Sequence, residues 1–163
     1  MGCSAGGHLA ALLGTTGDVA EFEGEGGWPD HSSRVQAVCD WFGPADLPAL
    51  AHQPSPKWDW SDDVNPAALL LGGAIADRPE AARRASPTTW ATPDDPPFLI
   101  MHGTADALVS YKQSVLMAAA LERVRVPVEL VLIEDGEHGP WTEAFAAERR
   151  RRQVAEFFDT HLK

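Results

Sequence analysis

The chain has 163 residues, enough for one domain with a real core, and its 44% hydrophobic and 23% charged content is that of a globular rather than a disordered protein. A net charge of −11 leaves phosphates few cationic partners, which argues against nucleic acid, and reads as a solubility feature. No run of about 18 apolar residues exists, so no segment reads as membrane-spanning.

Taken in chain order, the first segment is Gly2-Cys3-Ser4-Ala5-Gly6, followed by an Ala/Leu-rich stretch that predicts a helix from about Ala5 to Gly14. A polar, glycine-rich connection runs from Thr15 to Ser33, and Val35–Trp41 reads as a strand. Residues 44–95 are proline-rich and irregular, with tryptophans at 58, 60 and 90 and short helical pieces near 66–71 and 79–85. The apolar run 98–102 predicts a buried parallel strand, residues 111–123 a helix, and 128–133 a second buried strand. A last helix is expected near 142–162, with Phe145, Val154, Phe157, Phe158 and Leu162 as its buried stripe and Arg149–Arg152 on its solvated face. The alternation gives βαβ units and a parallel sheet of about three strands with helices on its faces, a single α/β domain over 1–163. The stretch at about 44–95 is expected to be a lid-like insertion.

Three segments carry chemistry. G-x-S-x-G is a nucleophile elbow, in which glycines on both sides are expected to make room for a tight turn that thrusts Ser4 outward. Asp106 follows the strand 98–102 in the loop His102-Gly103-Thr104-Ala105-Asp106, and His138 lies in the exit loop after 128–133. Open α/β sheets place their sites past the strand ends. The order Ser4, Asp106, His138 is that of one Ser-His-Asp architecture and not of the chymotrypsin or subtilisin types. A serine hydroxyl needs a base within hydrogen-bond reach, and an acid to orient that base. Ala5 N–H, opening the helix, is the expected oxyanion donor. Glu134 and Asp135 compete with Asp106 for the acid's place, but both directly precede the histidine's loop.

Four stretches resemble the α/β-hydrolase esterases of the feruloyl- and acetyl-esterase-like carboxylesterase group: G-C-S-A-G-G-H-L-A (2–10), V-C-D-W-F-G-P-A-D-L (38–47), P-P-F-L-I-M-H-G-T-A-D-A-L-V (96–109) and D-G-E-H-G (135–139). The resemblance covers nearly the whole chain but only the C-terminal half of such an enzyme, so it implies an incomplete α/β-hydrolase fold whose N-terminal strands are missing. It implies Ser4 as nucleophile, Asp106 as acid, His138 as base and the Ala5 N–H as one oxyanion donor. The family's H-G-G-type loop, source of the second donor, precedes the elbow there; Gly26-Gly27 and Gly72-Gly73 follow it here.

The implied reaction is hydrolysis of a small carboxylic ester through an acyl-enzyme, with no metal or organic cofactor. Two other readings stay open: a prolyl-oligopeptidase-like peptidase domain, and a catalytically inactive truncated fragment. Trp41, Phe42 and Trp141 lie beside the expected site and are candidates for a substrate pocket, with plain packing as the alternative. Trp58-Asp59-Trp60 reads as a lid or surface anchor, or as packing. His8 and His102 read as hydrogen-bonded packing residues. Cys3 and Cys39 lie in strands expected to be neighbours, so a bridge is conceivable, though free thiols are preferred. With the preceding strand missing, 35–41 is expected to form a bare edge open to self-association. The compartment is open: cytoplasmic if Met1 is the native start, otherwise set by a leader in a preceding segment.

Overall fold

In the computed structural model, which describes residues 1–17, 19–26, 28 and 31–162, the six residues of the strand Phe98–Gly103 (β3) are all buried, as the apolar run demands. β3 is flanked by Val38–Trp41 (β2) and Val128–Ile133 (β4), and β2 by the two-residue strand Gly2–Cys3 (β1). All pairs are parallel: Gly2 faces Asp40, Val38 faces Phe98, and Phe98 faces Val128. The sheet therefore has four strands rather than about three. β1 is the added one, too short to leave a periodicity.

Alternation along the strands loads both faces. Val38, Phe98 and Ile100 point to one side, where they meet Ala11 of α1 (Ala5–Thr15) and Met117 and Leu121 of α6 (Lys112–Arg123). Cys39, Trp41, Leu99 and Met101 point to the other, against Phe145 and Phe157. These last two belong to α7 (Glu143–Ala146) and α8 (Glu148–His161). The expected single C-terminal helix is thus broken at Ala147, whose ψ of 135° is extended. Phe157 is buried with Val154 and Phe158 packed beside it, while Leu162 is exposed, so the stripe ends before the chain does.

The segment between β2 and β3 contains four short helices: α2 (Leu47–Leu50), α3 (Pro66–Leu71), α4 (Pro79–Arg84) and α5 (Pro87–Trp90). Proline opens α3, α4 and α5, where its missing N–H costs nothing. Asp46 and Asn65 cap α2 and α3 by accepting from Ala49 N and Ala68 N. The segment has its own apolar cluster of Leu47, Leu50, Trp60, Ala67, Ile75 and Ala82. Trp60 is buried in it and Trp58 packs against it, so the tryptophan pair serves this small core rather than a surface anchor. Ser55 Oγ donates to Ala107 O at 3.2 Å, and Gln113 Oε1 accepts from the N–H groups of Ala45 and Asp46 at 2.8 Å each. Those bonds fasten the segment to the loop after β3 and to α6.

The stretch 35–41, expected to be a bare edge, is in part covered: pairing begins at Val38, and Val38–Trp41 is buried and paired to β3 along its length. β1 covers only Asp40 and Trp41 on that side, so the edge of the sheet belongs to β1. Both cysteines are free; burial pushes the Cys39 thiol up to about 12, with the Asp40 charge adding to it.

Candidate active site

Ser4 stands between the end of β1 and the start of α1 at φ 53°, ψ −122°, a left-handed backbone that a serine adopts only under strain. Two bonds hold it: its N–H donates to Trp41 O at 2.8 Å and its carbonyl accepts from His8 N at 3.0 Å. A Cβ on Gly2 would run into the Gly6 carbonyl, so glycine is required there. Gly6 faces open space instead, which corrects the expectation of a clash on both sides of the serine. Ala5 opens α1, so its N–H lies at the helix N-terminus, one residue after Ser4.

The loops after β3 and β4 deliver the other two groups. His138 Nε2 is 3.0 Å from Ser4 Oγ, and His138 Nδ1 is 2.6 Å from Asp106 Oδ2. The structure thus brings together Ser4, His138 and Asp106, residues up to 134 positions apart. Asp106 Oδ1 accepts from the N–H groups of Leu108 and Val109, each at 2.9 Å, in a turn that fixes the carboxylate's orientation. Burial alone would raise this carboxyl, but bonds from His102, His138 and the Val109 N–H outweigh it and hold it well below the usual carboxylate range. Asp106 is therefore ionised at neutral pH. Glu134 and Asp135 lie exposed in the β4 exit loop, and Asp135 N bonds Thr104 Oγ1 instead.

The three aromatic candidates separate. Phe42 is buried, at φ 47°, with its ring 4.6 Å from the His138 ring and 4.9 Å from Phe145, so it backs the imidazole rather than lining an open pocket. Trp41 is buried in the core against Phe145 at 5.2 Å and is not pocket-lining. Trp141 is 79% exposed, three residues beyond His138. His8 is buried with Nε2 2.6 Å from Ala85 O, a packing and hydrogen-bonding residue as expected.

Of two further residues near the site, the sequence missed Asp40 and read His102 only as a hydrogen-bonded residue, without its contact to Asp106. His102, the penultimate residue of β3, is fully buried, with Nδ1 2.7 Å from Ser114 Oγ and Nε2 2.9 Å from Val109 O and 3.2 Å from Asp106 Oδ2. The available signal was its place four residues before Asp106 at the same strand end. Asp40, in β2 below the elbow, is also fully buried; Oδ1 accepts from Gly43 N at 3.0 Å and Oδ2 has no partner among the described residues. Burial pushes this carboxyl up to about 6, against the pull of the Gly43 N–H and His102.

That shift has a sign. A carboxyl raised in the fold above its unfolded value binds more protons when folded. The cost of its charge is therefore full above about 6 and fades as pH falls through the ordinary carboxylate range. Asp40→Asn is expected to raise unfolding stability at pH 8 by about 1–3 kcal/mol, and by little at pH 4. Urea unfolding at the two pH values checks it; an equal effect at both would remove the buried charge as the cause.

Comparisons with known proteins place the chain among esterases. The BD-FAE family model matches residues 1–121. The chain belongs to the BD-FAE family. Esterase LipC of Mycobacterium tuberculosis is 31% identical over 134 residues, covering 76% of this chain and 29% of that protein. The probable carboxylic ester hydrolase LipM of the same organism is 33% identical over 119 residues, covering 69% of this chain and 25% of its own length. Among solved structures, a truncated carbohydrate esterase from gut microbiota superposes with a TM-score of 0.86 at 30% identity, over 98% of this chain and 57% of that one. The esterase Est2 of the Planctomycetes species Thermogutta terrifontis, with propionate bound, gives 0.70 at 26% identity, over 98% and 54%. The BD-FAE chain thus spans a quarter to a third of these curated relatives and somewhat over half of the solved structures. Its fold is that of the α/β-hydrolase esterases, here as a partial domain.

Proposed function

We propose that this chain carries the nucleophile, base and acid of a serine hydrolase for carboxylic esters with short acyl groups or of the kind borne on plant polymers. The observation that carries the reading is the unbroken relay Ser4 Oγ, His138 Nε2, His138 Nδ1, Asp106 Oδ2 at 3.0 and 2.6 Å. The strained backbone at Ser4 supports it, since strain of this kind clusters at functional sites. So do the relatives, which are named as esterases.

The steps follow from the groups present. His138 Nε2 takes the hydroxyl proton as Ser4 Oγ attacks the ester carbonyl carbon, and the carbonyl π electrons move to oxygen. The Ala5 N–H, with the α1 dipole behind it, faces the resulting oxyanion. Collapse breaks the bond to the alcohol oxygen, which leaves with the proton from His138. A water then gives its proton to the same nitrogen and attacks the acyl carbon, and collapse returns the proton to Ser4 Oγ and frees the acid. Asp106, held ionised, fixes the imidazole with its hydrogen on Nδ1 and stabilises the imidazolium in each step.

Treatment with a fluorophosphonate should leave one phosphonyl group on the peptide bearing Ser4, read by mass spectrometry. Two Est2 neighbours carry adducts of tabun and sarin. Modification of another serine, or the same label in Ser4→Ala, would overturn the assignment.

A further inference from the structure

His102 has no part in the steps above, yet it is the second imidazole on the acid. Its ring is completely buried at the end of β3, and each nitrogen has a defined partner. Nε2 faces two acceptors, Val109 O at 2.9 Å and Asp106 Oδ2 at 3.2 Å. A lone pair cannot sit opposite two acceptor oxygens, so the ring hydrogen is on Nε2. Nδ1 is then an acceptor, and Ser114 Oγ, buried on α6 at 2.7 Å, donates to it. The same Val109 closes the circle, because its N–H donates to Asp106 Oδ1 while its carbonyl faces His102.

We propose that His102, oriented by Ser114, is a positioning residue: its Nε2–H shares Asp106 Oδ2 with His138 and so sets how much of the carboxylate's charge reaches the base. The proposal rests on the reading of Ser4, His138 and Asp106 given above. Asp106 then receives three hydrogen bonds, from two backbone N–H groups on Oδ1 and from His138 on Oδ2, and the His102 Nε2–H, bonded to Val109 O, makes a further 3.2 Å contact with Oδ2. A carboxylate so held cannot rotate away from His138 without breaking its backbone bonds. Its charge is also divided, so the His138 imidazolium is stabilised less than by a carboxylate bound to it alone.

The groups facing the pair come from every packed element. Asp40 of β2 lies within electrostatic range of His102, Asp106 lies in the loop after β3, and Ser114 comes from α6. Phe42 presents its ring to both imidazoles, at 6.3 Å from His102 and 4.6 Å from His138. Glu134, Asp135 and Glu137 in the β4 exit loop are exposed to water.

The test is the pH dependence of kcat/KM for nitrophenyl acetate in His102→Leu, His102→Gln and Ser114→Ala. Leucine fills the space without a donor. It should move the acidic limb to higher pH, because the undivided carboxylate favours the imidazolium, and lower the plateau by about ten- to a hundredfold as Asp106 loses its clamp. Glutamine, whose amide can donate to Oδ2, should restore the limb to its wild-type position. Ser114→Ala should shift it in the leucine direction by less. A plateau loss with an unmoved acidic limb in all three would reduce His102 to packing and overturn the proposal. A measurement on the wild-type protein does not depend on a variant folding: ring nitrogen-15 spectra should show His102 with its hydrogen on Nε2, and a hydrogen on Nδ1 instead overturns it. Turnover that persists in Ser4→Ala would sink the underlying reading, whereas Ser4-dependent turnover with a His102→Leu profile equal to wild type sinks this inference alone.

Discussion

Ser4→Ala is expected to lower ester turnover by about 10³-fold or more, and His138→Ala by a similar factor. The size follows from the division of labour at the site. Without Oγ no covalent step is available, and without the imidazole the hydroxyl keeps its proton at neutral pH. The two side chains are joined by one 3.0 Å bond and work as one device, so the double variant should be hardly slower than either single one. Asp106→Asn should also be severe, since an amide at Oδ2 can present a donor to His138 Nδ1 and favour the wrong tautomer. Steady-state kinetics with nitrophenyl acetate, alongside a melting curve to show that each variant is folded, measure all four. Losses that multiply in the double variant would mean that Ser4 and His138 act independently, which the relay does not allow.

How much of this was legible beforehand depends on the range over which each signal acts. β4 and α3 were readable to the residue, because an apolar run and a proline-opened Ala/Leu stretch are local signals. Ser4, Asp106 and His138 were legible because each stands just past a strand end, a place the sequence marks with a turn. α2 and α5, four residues each, were not readable; they exist because Asp46 caps one and Ser86 Oγ accepts from Leu47 N at 2.9 Å, a contact across 39 positions. The break at Ala147 was hidden too, since the apolar spacing of α7 and α8 runs through it. Trp41 and Phe42 were adjacent candidates for one pocket, but strand alternation and the positive φ at Phe42 send one ring into the core and the other against His138. His102 looked like a residue satisfying a backbone group, and it does bond Val109 O. Its approach to Asp106 depends on a turn of the chain that no spacing rule encodes.

The second large effect is expected far from any reacting atom. Gly103→Ala should lower turnover by about a hundredfold or more while leaving Ser4, His138 and Asp106 in the sequence. Gly103 ends β3, and its Cα lies under the backbone of Gly136 in the β4 exit loop, so an added Cβ would collide with the Gly136 carbonyl. Three bonds tie the loops at this crossing: Ala105 N donates to Gly136 O at 3.0 Å, Thr104 N to Ile133 O at 2.9 Å and Asp135 N to Thr104 Oγ1 at 3.0 Å. The first belongs to the loop that carries Asp106, and Gly136 to the loop that carries His138. Backbone cannot swing aside like the end of a side chain, so the methyl group must push the two loops apart. The 2.6 Å contact between Asp106 and His138 spans that same gap and is the first to lengthen. Overpacking of this kind costs about 1–3 kcal/mol of stability, an amount that a folded domain survives, so the kinetic loss should exceed what unfolding explains. The measurement pairs a urea titration with kinetics at a temperature where the variant is folded. Wild-type turnover in folded Gly103→Ala would show that the acid and base loops tolerate separation and that the close approach of Gly103 to Gly136 has no part in aligning them.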